Sequence, residues 1–538
     1  MKDMKKIALA ALMMAVVLPA AAQDTYESAR LLGEDLNGTA RYVGMGGAME
    51  ALGADISTIG TNPAGIGLFR HSTVSGTLGL VSQQDVEKFD RLGKTNMSFD
   101  QLGFVYSTRT SGTSYMNFAF NYHKSRNFNQ ILSAANRLSN VSSNALSYKK
   151  AELGHVRNGG YDLDFNDQGE LVGWEGEKSD YRAQTFSTLD YLNANSVLLD
   201  ADYEYLMSLE EPQPYIFDLA ADGFAFDRAH RGWINDFDFN ISGNENDRFF
   251  WGITVGIHHV NYKGYSQYSE GMVTSNGQDA GVISYGDERK IKGYGADITG
   301  GVIFRPVETS PFRIGLYVST PTFYDLKSIN FTEIVNGSDY GCYDYGADEE
   351  EYKFKLYTPW KFGVSMGHTV GNNLAIGASY EFSDYGATRN RINDGYDGYG
   401  NEDSYTDEAV KRNTEESLKG VHTLKVGAEF KPVPELAVRL GYNYVSAAYD
   451  KDGYRNMMLD SPGVMYASTS DYTNWKATNR LTAGLGFKAG NMNIDVAYQY
   501  SATKGDFYPF QQYDANPVGA TEVNNKRHQV LLTLGYTF

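Results

Sequence analysis

Few residues in this 538-residue chain are spaced for catalysis or metal binding. His258 and His259 are adjacent, and on a strand neighbouring side chains point to opposite faces, so the pair cannot close on one ion. Gly293-Tyr294-Gly295 is followed by no helical pattern and makes no dinucleotide loop. The chain reads as having neither a serine-nucleophile elbow nor a His-Glu-x-x-His zinc pair. Its single cysteine, Cys342, excludes a disulfide framework and a thiolate metal cluster. Two stretches are dense in oxygen ligands: Asn393 to Gly400 with Glu402, Asp403, Asp407 and Glu408, and Asp348 to Glu351. They lack the fixed terminal glutamate of a calcium hand and read as solvated loops. The expectation is a non-enzyme with no catalytic residue, no metal and no cofactor.

The elements that could position anything are strands. In Leu436-Ala437-Val438-Arg439-Leu440-Gly441-Tyr442-Asn443-Tyr444 one face is apolar and aromatic while the other is small or polar. Met492 to Tyr500 and Trp251 to His258 repeat that alternation. Such stretches fall near 72–83, 97–108, 114–125, 233–242, 249–263, 289–304, 312–334, 350–369, 373–385, 419–431, 435–448, 478–489, 491–503 and 525–538. Gaps of a few residues, such as Pro432-Val433-Pro434, alternate with long ones. That rhythm predicts an all-β, transmembrane antiparallel β-barrel of about 14 strands, filling residues 72–538, with short turns at one end and long loops at the other. An even count leaves both termini at the short-turn, periplasmic end and no open edge in the bilayer. The longest gap, 126–232, predicts a large extracellular insertion, with helix over Thr185 to Leu209.

Bulk composition fits. Mean hydropathy is −0.42, but a barrel needs only every second strand residue to be apolar. A net charge of −19 excludes nucleic acid as a partner. Lys2, Lys5 and Lys6, the apolar run Ile7 to Leu18 and Ala20-Ala21-Ala22 read as a signal peptide over residues 1–22. The last strand puts Val530, Leu532, Leu534, Tyr536 and Phe538 on one face. A C-terminal aromatic of this kind resembles the signal read by the outer-membrane assembly machinery, which makes that machinery an expected partner through Phe538.

Residues 23–71 do not read as strand. Asp24 to Leu36 suggests a short helix, with Ala29, Leu32 and Leu36 on one face. Gly44, Gly46 and Gly47 follow in a small-residue run, and the segment closes on Asn62-Pro63-Ala64-Gly65, a turn signal. A compact segment of this composition before a barrel suggests a luminal plug. The stretch Ala54-Asp55-Ile56-Ser57-Thr58-Ile59 leading into Asn62-Pro63-Ala64-Gly65, just before the first strand, resembles the N-terminal hatch of the FadL/OmpP1/TodX family of outer-membrane channels for hydrophobic compounds. The resemblance implies a hatch-gated barrel of the same strand number that admits long-chain fatty acids or aromatic compounds passively through the outer membrane. Its gating residues would be Asn62, Pro63, Ala64 and Gly65, with Gly44, Gly46 and Gly47 as the flexible part. The expected partners are a hydrophobic small molecule and the surrounding outer-membrane lipid and lipopolysaccharide. The alternative is a structural or surface-interaction protein whose large loops bind partners.

Overall fold

The computed structural model describes residues 23–153, 186–198, 219–274, 276–338, 345–346, 349–396, 402–459, 461–512 and 518–538. The signal peptide expected over 1–22, Cys342, Asp348 and residues 397–400 of the acidic loop lie outside them, as do Thr185 and residues 199–209 of the helix expected over 185–209.

Fourteen antiparallel strands run in sequence order around one closed sheet. They are β1 (Thr73–Gln83), β2 (Thr95–Ser111), β3 (Ser114–Asn127, continued by Gln130–Arg137), β4 (Ala220–Glu245), β5 (Phe249–Val273) and β6 (Asp279–Phe304). Next come β7 (Arg313–Ser319, continued by Phe323–Ser338), β8 (Glu350–Tyr357, continued by Lys361–Val370) and β9 (Leu374–Asp384, continued by Arg389–Tyr396). The last five are β10 (Gly420–Val433), β11 (Leu436–Val445), β12 (Tyr472–Ala489), β13 (Met492–Tyr508) and β14 (Thr521–Thr537). β1 pairs with β14 from Thr73↔Thr537 to Gln83↔Arg527, and this closes the barrel. The Phe538 amide donates to the Ser72 carbonyl at 2.9 Å, so the chain end is tied beside the first strand.

The faces divide as the alternation predicts. Val530, Leu532, Leu534 and Tyr536 of β14 are exposed, as are Ile253, Val255 and Ile257 of β5. Asn117, Asn121, Asp238 and Arg439 point inward and are buried. An exposed apolar belt around a polar, filled interior suits hydrocarbon outside and not water. On β6 the belt runs from Tyr294 to Phe304, about the strand length that crosses a bilayer when tilted. This is the architecture of an outer-membrane barrel.

Three details differ from the sequence reading. β7, β8 and β9 are each interrupted at neighbouring heights, at Thr320–Thr322, Thr358–Trp360 and Tyr385–Thr388. Pro321 and Pro359 lack the N–H that a continuous ladder needs, and Thr322 and Thr358 bond to each other across the gap. The insertion is shorter than 126–232, because β3 continues to Arg137 and β4 begins at Ala220. Gly363-Val364-Ser365-Met366-Gly367 does spell Gly-x-Ser-x-Gly, but Ser365 sits mid-strand between Gly315 and Ser379, not on a strand-to-helix turn.

At the long-loop end the extended strands and the insertion form a second apolar core. Leu132, Leu138, Leu189, Leu192, Phe226 and Phe507 are among its buried members. The helix Thr188–Asn193, closed by a capping box between Ser187 and Asp190, sits in it.

Candidate functional site

Residues 23–71 lie against the inner wall of the barrel, built from short turns each started by its own side-chain cap. Asp24 Oδ1 accepts from the Tyr26 and Glu27 amides at the start of α1 (Thr25–Ala29). Thr39 caps α2 (Ala40–Gly44), Asp55 caps the 3₁₀ turn Ile56–Gly60, and Asn62 caps Pro63–Leu68. The helix expected over Asp24–Leu36 ends at Ala29. Ala29 and Leu32 then pack with Leu418, while Leu36 joins a different cluster with Tyr42 and Met49.

Glycines on the wall make the sockets for this segment. A Cβ at Gly301 would lie 2.2 Å from Asn62 Oδ1, and one at Gly252 would lie 2.4 Å from the Pro63 carbonyl oxygen. Ala64 is fully buried, and Gly65 meets Thr58 and accepts the Ala54 amide at 3.0 Å. On the opposite side of the segment, a Cβ at Gly441 would sit 2.2 Å from the Gly46 nitrogen, and one at Gly427 2.1 Å from the Met45 carbonyl oxygen. Gly46 has φ +63°, which a side chain would strain. Gly44 meets Gly484 Cα, and Gly47 faces Leu36, Tyr42 and Lys425. The structure thus gives Gly44, Gly46 and Gly47 a close-packing role against the wall.

Charged pairs complete the attachment. Glu50 is fully buried; it pairs with Lys425 at 2.7 Å and accepts from Ser379 Oγ. Arg41 reaches Glu429 at 3.0 Å, which Arg439 also holds at 2.7 Å while binding Asp495 at 2.5 Å. Asp24 takes Arg455 at 2.5 Å.

Between the segment and the wall is a cavity of about 350 Å³. Part of its lining is aromatic: Tyr26, Phe128, Tyr385, Tyr449, Tyr472 and Trp475. Much of the rest is polar or charged, with arginines from six places: Arg30 on the segment, Arg126, Arg228, Arg480 and Arg527 on β3, β4, β12 and β14, and Arg455 between β11 and β12. Arg228 pairs with Asp471. Arg480 donates to Asn443 Oδ1 at 2.8 Å, Arg527 to the Asn129 carbonyl at 2.6 Å, and Arg30 to the Tyr262 hydroxyl at 2.8 Å. Asp35 faces this group; burial works to raise its carboxyl, but Arg126, Arg527 and Arg480 outweigh it and hold it below the usual range. Among the described residues, the Nε atoms of Arg228 and Arg527 are buried without a hydrogen-bond partner.

On β3 to β6 is a second polar group, of which His123, Asp236 and His258 line the same cavity. His258 bridges Asp236 at 2.7 Å and Asp297 at 2.9 Å, and His123 approaches Asp238 at 3.2 Å. His259 points outward and stacks on Tyr294 at 4.8 Å, so the two adjacent histidines do separate. No set of three His, Cys, Asp or Glu side chains among the described residues is arranged to hold a metal ion.

The sequence reading missed the arginine group. Its members lie far apart in the chain and meet only when β14 closes on β1. The available signal was an arginine at an inward strand position, as at Arg480, flanked by outward Leu481 and Asn479.

Neither a protein-family model nor a curated protein matches this chain. Solved structures do. The Ralstonia pickettii toluene transporter TbuX aligns with 94% of this chain and 99% of its own at 11% identity and a TM-score of 0.46. The CymD monoaromatic hydrocarbon channel covers the same shares at 8% identity and 0.47. A Pseudomonas aeruginosa FadL homologue covers 97% of this chain and 99% of its own at 11% and 0.44. The chain is similar to these barrels along nearly its whole length.

Proposed function

We propose that this chain is an outer-membrane channel for passive uptake of small hydrophobic molecules that carry an acid group. The observation behind this reading is the cavity, with aromatic walls beside nine arginine and lysine side chains against six carboxylates. An uncharged hydrocarbon there would leave Arg30, Arg480 and Arg527 bonded to the neutral partners Tyr262, Asn443 and Asn129, whereas a carboxylate would add a counter-charge. A fatty acid has both parts.

In this reading residues 23–71 are the hatch. Asn62, Pro63, Ala64 and Gly65 anchor it at the wall glycines of β5 and β6, and the Gly44–Gly47 run is the part that separates from β10 to β12 when it moves. Both termini are periplasmic, the insertion and the apolar core above it face outward, and Phe538 engages the assembly machinery. The interruptions at Thr320–Thr322 and Thr358–Trp360 supply the path between cavity and bilayer: Thr322, Thr358 and Pro359 line the cavity, and the wall there lacks continuous ladder bonds.

Calorimetric titration of the detergent-solubilised barrel with decanoate and with decanol tests the ligand class. Decanoate should bind at least about ten-fold more tightly. Arg126→Gln, Arg480→Gln or Arg527→Gln should each lower decanoate affinity by about ten-fold and leave decanol unchanged. Equal binding of acid and alcohol, or of neither, would contradict the assignment.

A further inference from the structure

The outer face of β5 to β8 changes character just beyond the apolar belt. On β6 the outward positions pass from Tyr294 to Lys292 and then Lys290. The register sets Lys292 directly opposite Lys327 of β7, and Lys327 directly opposite Lys353 of β8. One row further out, Lys263 of β5 stands opposite Lys290. Like charges directly across a ladder repel, because cross-strand Cβ atoms are only about 5 Å apart. Two carboxylates offset part of this: Glu351 holds Lys327 at 2.5 Å, and Glu288 holds Lys290 at 3.3 Å. The row beneath adds Lys355, between Asp325 and Arg391. The patch is therefore net cationic on a chain of net charge −19. Lys263, Lys292 and Lys353 are exposed.

Repulsion repeated over three strands is tolerated when a counter-ion sits on it. We infer that this face binds the phosphate groups of the lipid leaflet on the long-loop side. Several features favour a lipid head group. The patch borders the aromatic edge of the belt, Tyr294 and Phe323, which places it at head-group depth. The lysines spread along the wall as separate point charges, which suits several phosphates at the membrane surface. The leaflet assignment rests on the orientation proposed above; the phosphate chemistry does not.

The test is native mass spectrometry of the mature barrel in neutral detergent, titrated with bisphosphorylated lipid A and with its dephosphorylated form. The parent should prefer the phosphorylated lipid by ten-fold or more. Lys292→Gln/Lys327→Gln/Lys353→Gln should lose that preference. A control, Lys476→Gln/Lys504→Gln, removes lysines paired with Asp506 and Glu522 and should keep it. Without lipid, the triple variant should melt no lower than the parent, since it has shed a repulsion; this separates lost binding from a damaged barrel. Equal affinity of the parent for both lipids, or a triple variant within two-fold of the parent, would overturn the inference. Protease added to intact cells reads the orientation separately. Cleavage within 138–219 places the patch in the outer leaflet, and protection with lipid binding still lost moves the same surface to the other leaflet.

Discussion

Removing one partner of the Glu50–Lys425 pair should unlatch the N-terminal segment, and the size of the effect can be worked from the structure. Glu50 is fully buried and the Lys425 side chain is 9% exposed, with 2.7 Å between the charges. Breaking a buried pair by deleting one partner costs about 3–5 kcal/mol, because the other charge is left unsatisfied. Replacing both with apolar groups costs little by the same reasoning. Since about 1.4 kcal/mol is a factor of ten, Glu50→Gln or Lys425→Met should raise the population of the displaced segment by roughly 150- to 4,000-fold. Glu50→Leu/Lys425→Met should return it close to the parent. The assay is ion conductance of the purified protein in planar bilayers, read as open probability, with heat-modifiable gel mobility as the check on the barrel. Single variants as silent as the parent, or a double variant as leaky as the singles, would refute the pair as a latch.

Two further perturbations follow from the same geometry. Gly441→Val puts a branched side chain where a Cβ already lies 2.2 Å from the Gly46 nitrogen; limited proteolysis should then cut the 40–50 stretch while the barrel stays resistant. The third concerns Glu270, on the loop-side extension of β5 well past the apolar belt, where burial pushes its carboxyl up to about 7 despite donation from Tyr268 and the Ser143 amide. The folded state therefore keeps a proton that the unfolded chain releases near 4.5, so stability at this site falls as pH rises from about 4.5 to 7, by at most about 3 kcal/mol. Protection factors at 138–150, the exchange rates normalised to the intrinsic rate at each pH, should be lower at pH 8 than at pH 5.5, and Glu270→Gln should flatten the difference.

The strand plan was legible because each strand has a lipid face and a lumen face, and a period of two records both in the sequence. What that period does not carry is height along the barrel. The breaks in β7 and β8 were signalled only by Pro321 and Pro359, inside stretches whose alternation otherwise continues. The Asn62–Gly65 turn was visible because a capping asparagine before proline is a local feature. Its sockets were not, since Gly252, Gly301 and Gly315 come from three strands and look like any small inward residue until the segment is set against them. The arginines around Asp35 were hidden for the same reason: the chain separates Arg126 from Arg527 by most of the barrel, and closure alone makes them neighbours. The pairing of Glu50 with Lys425 is likewise invisible to any local pattern.

The most direct test of gated uptake is entry of a labelled long-chain fatty acid into proteoliposomes, comparing the mature protein with a variant lacking residues 24–70. The intact barrel should speed fatty-acid entry over empty vesicles while excluding polar sugars, and the deletion should admit both. If the intact barrel moves the fatty acid no faster than bare lipid, or if the deletion leaves sugars excluded, the segment is no gate and the uptake reading fails.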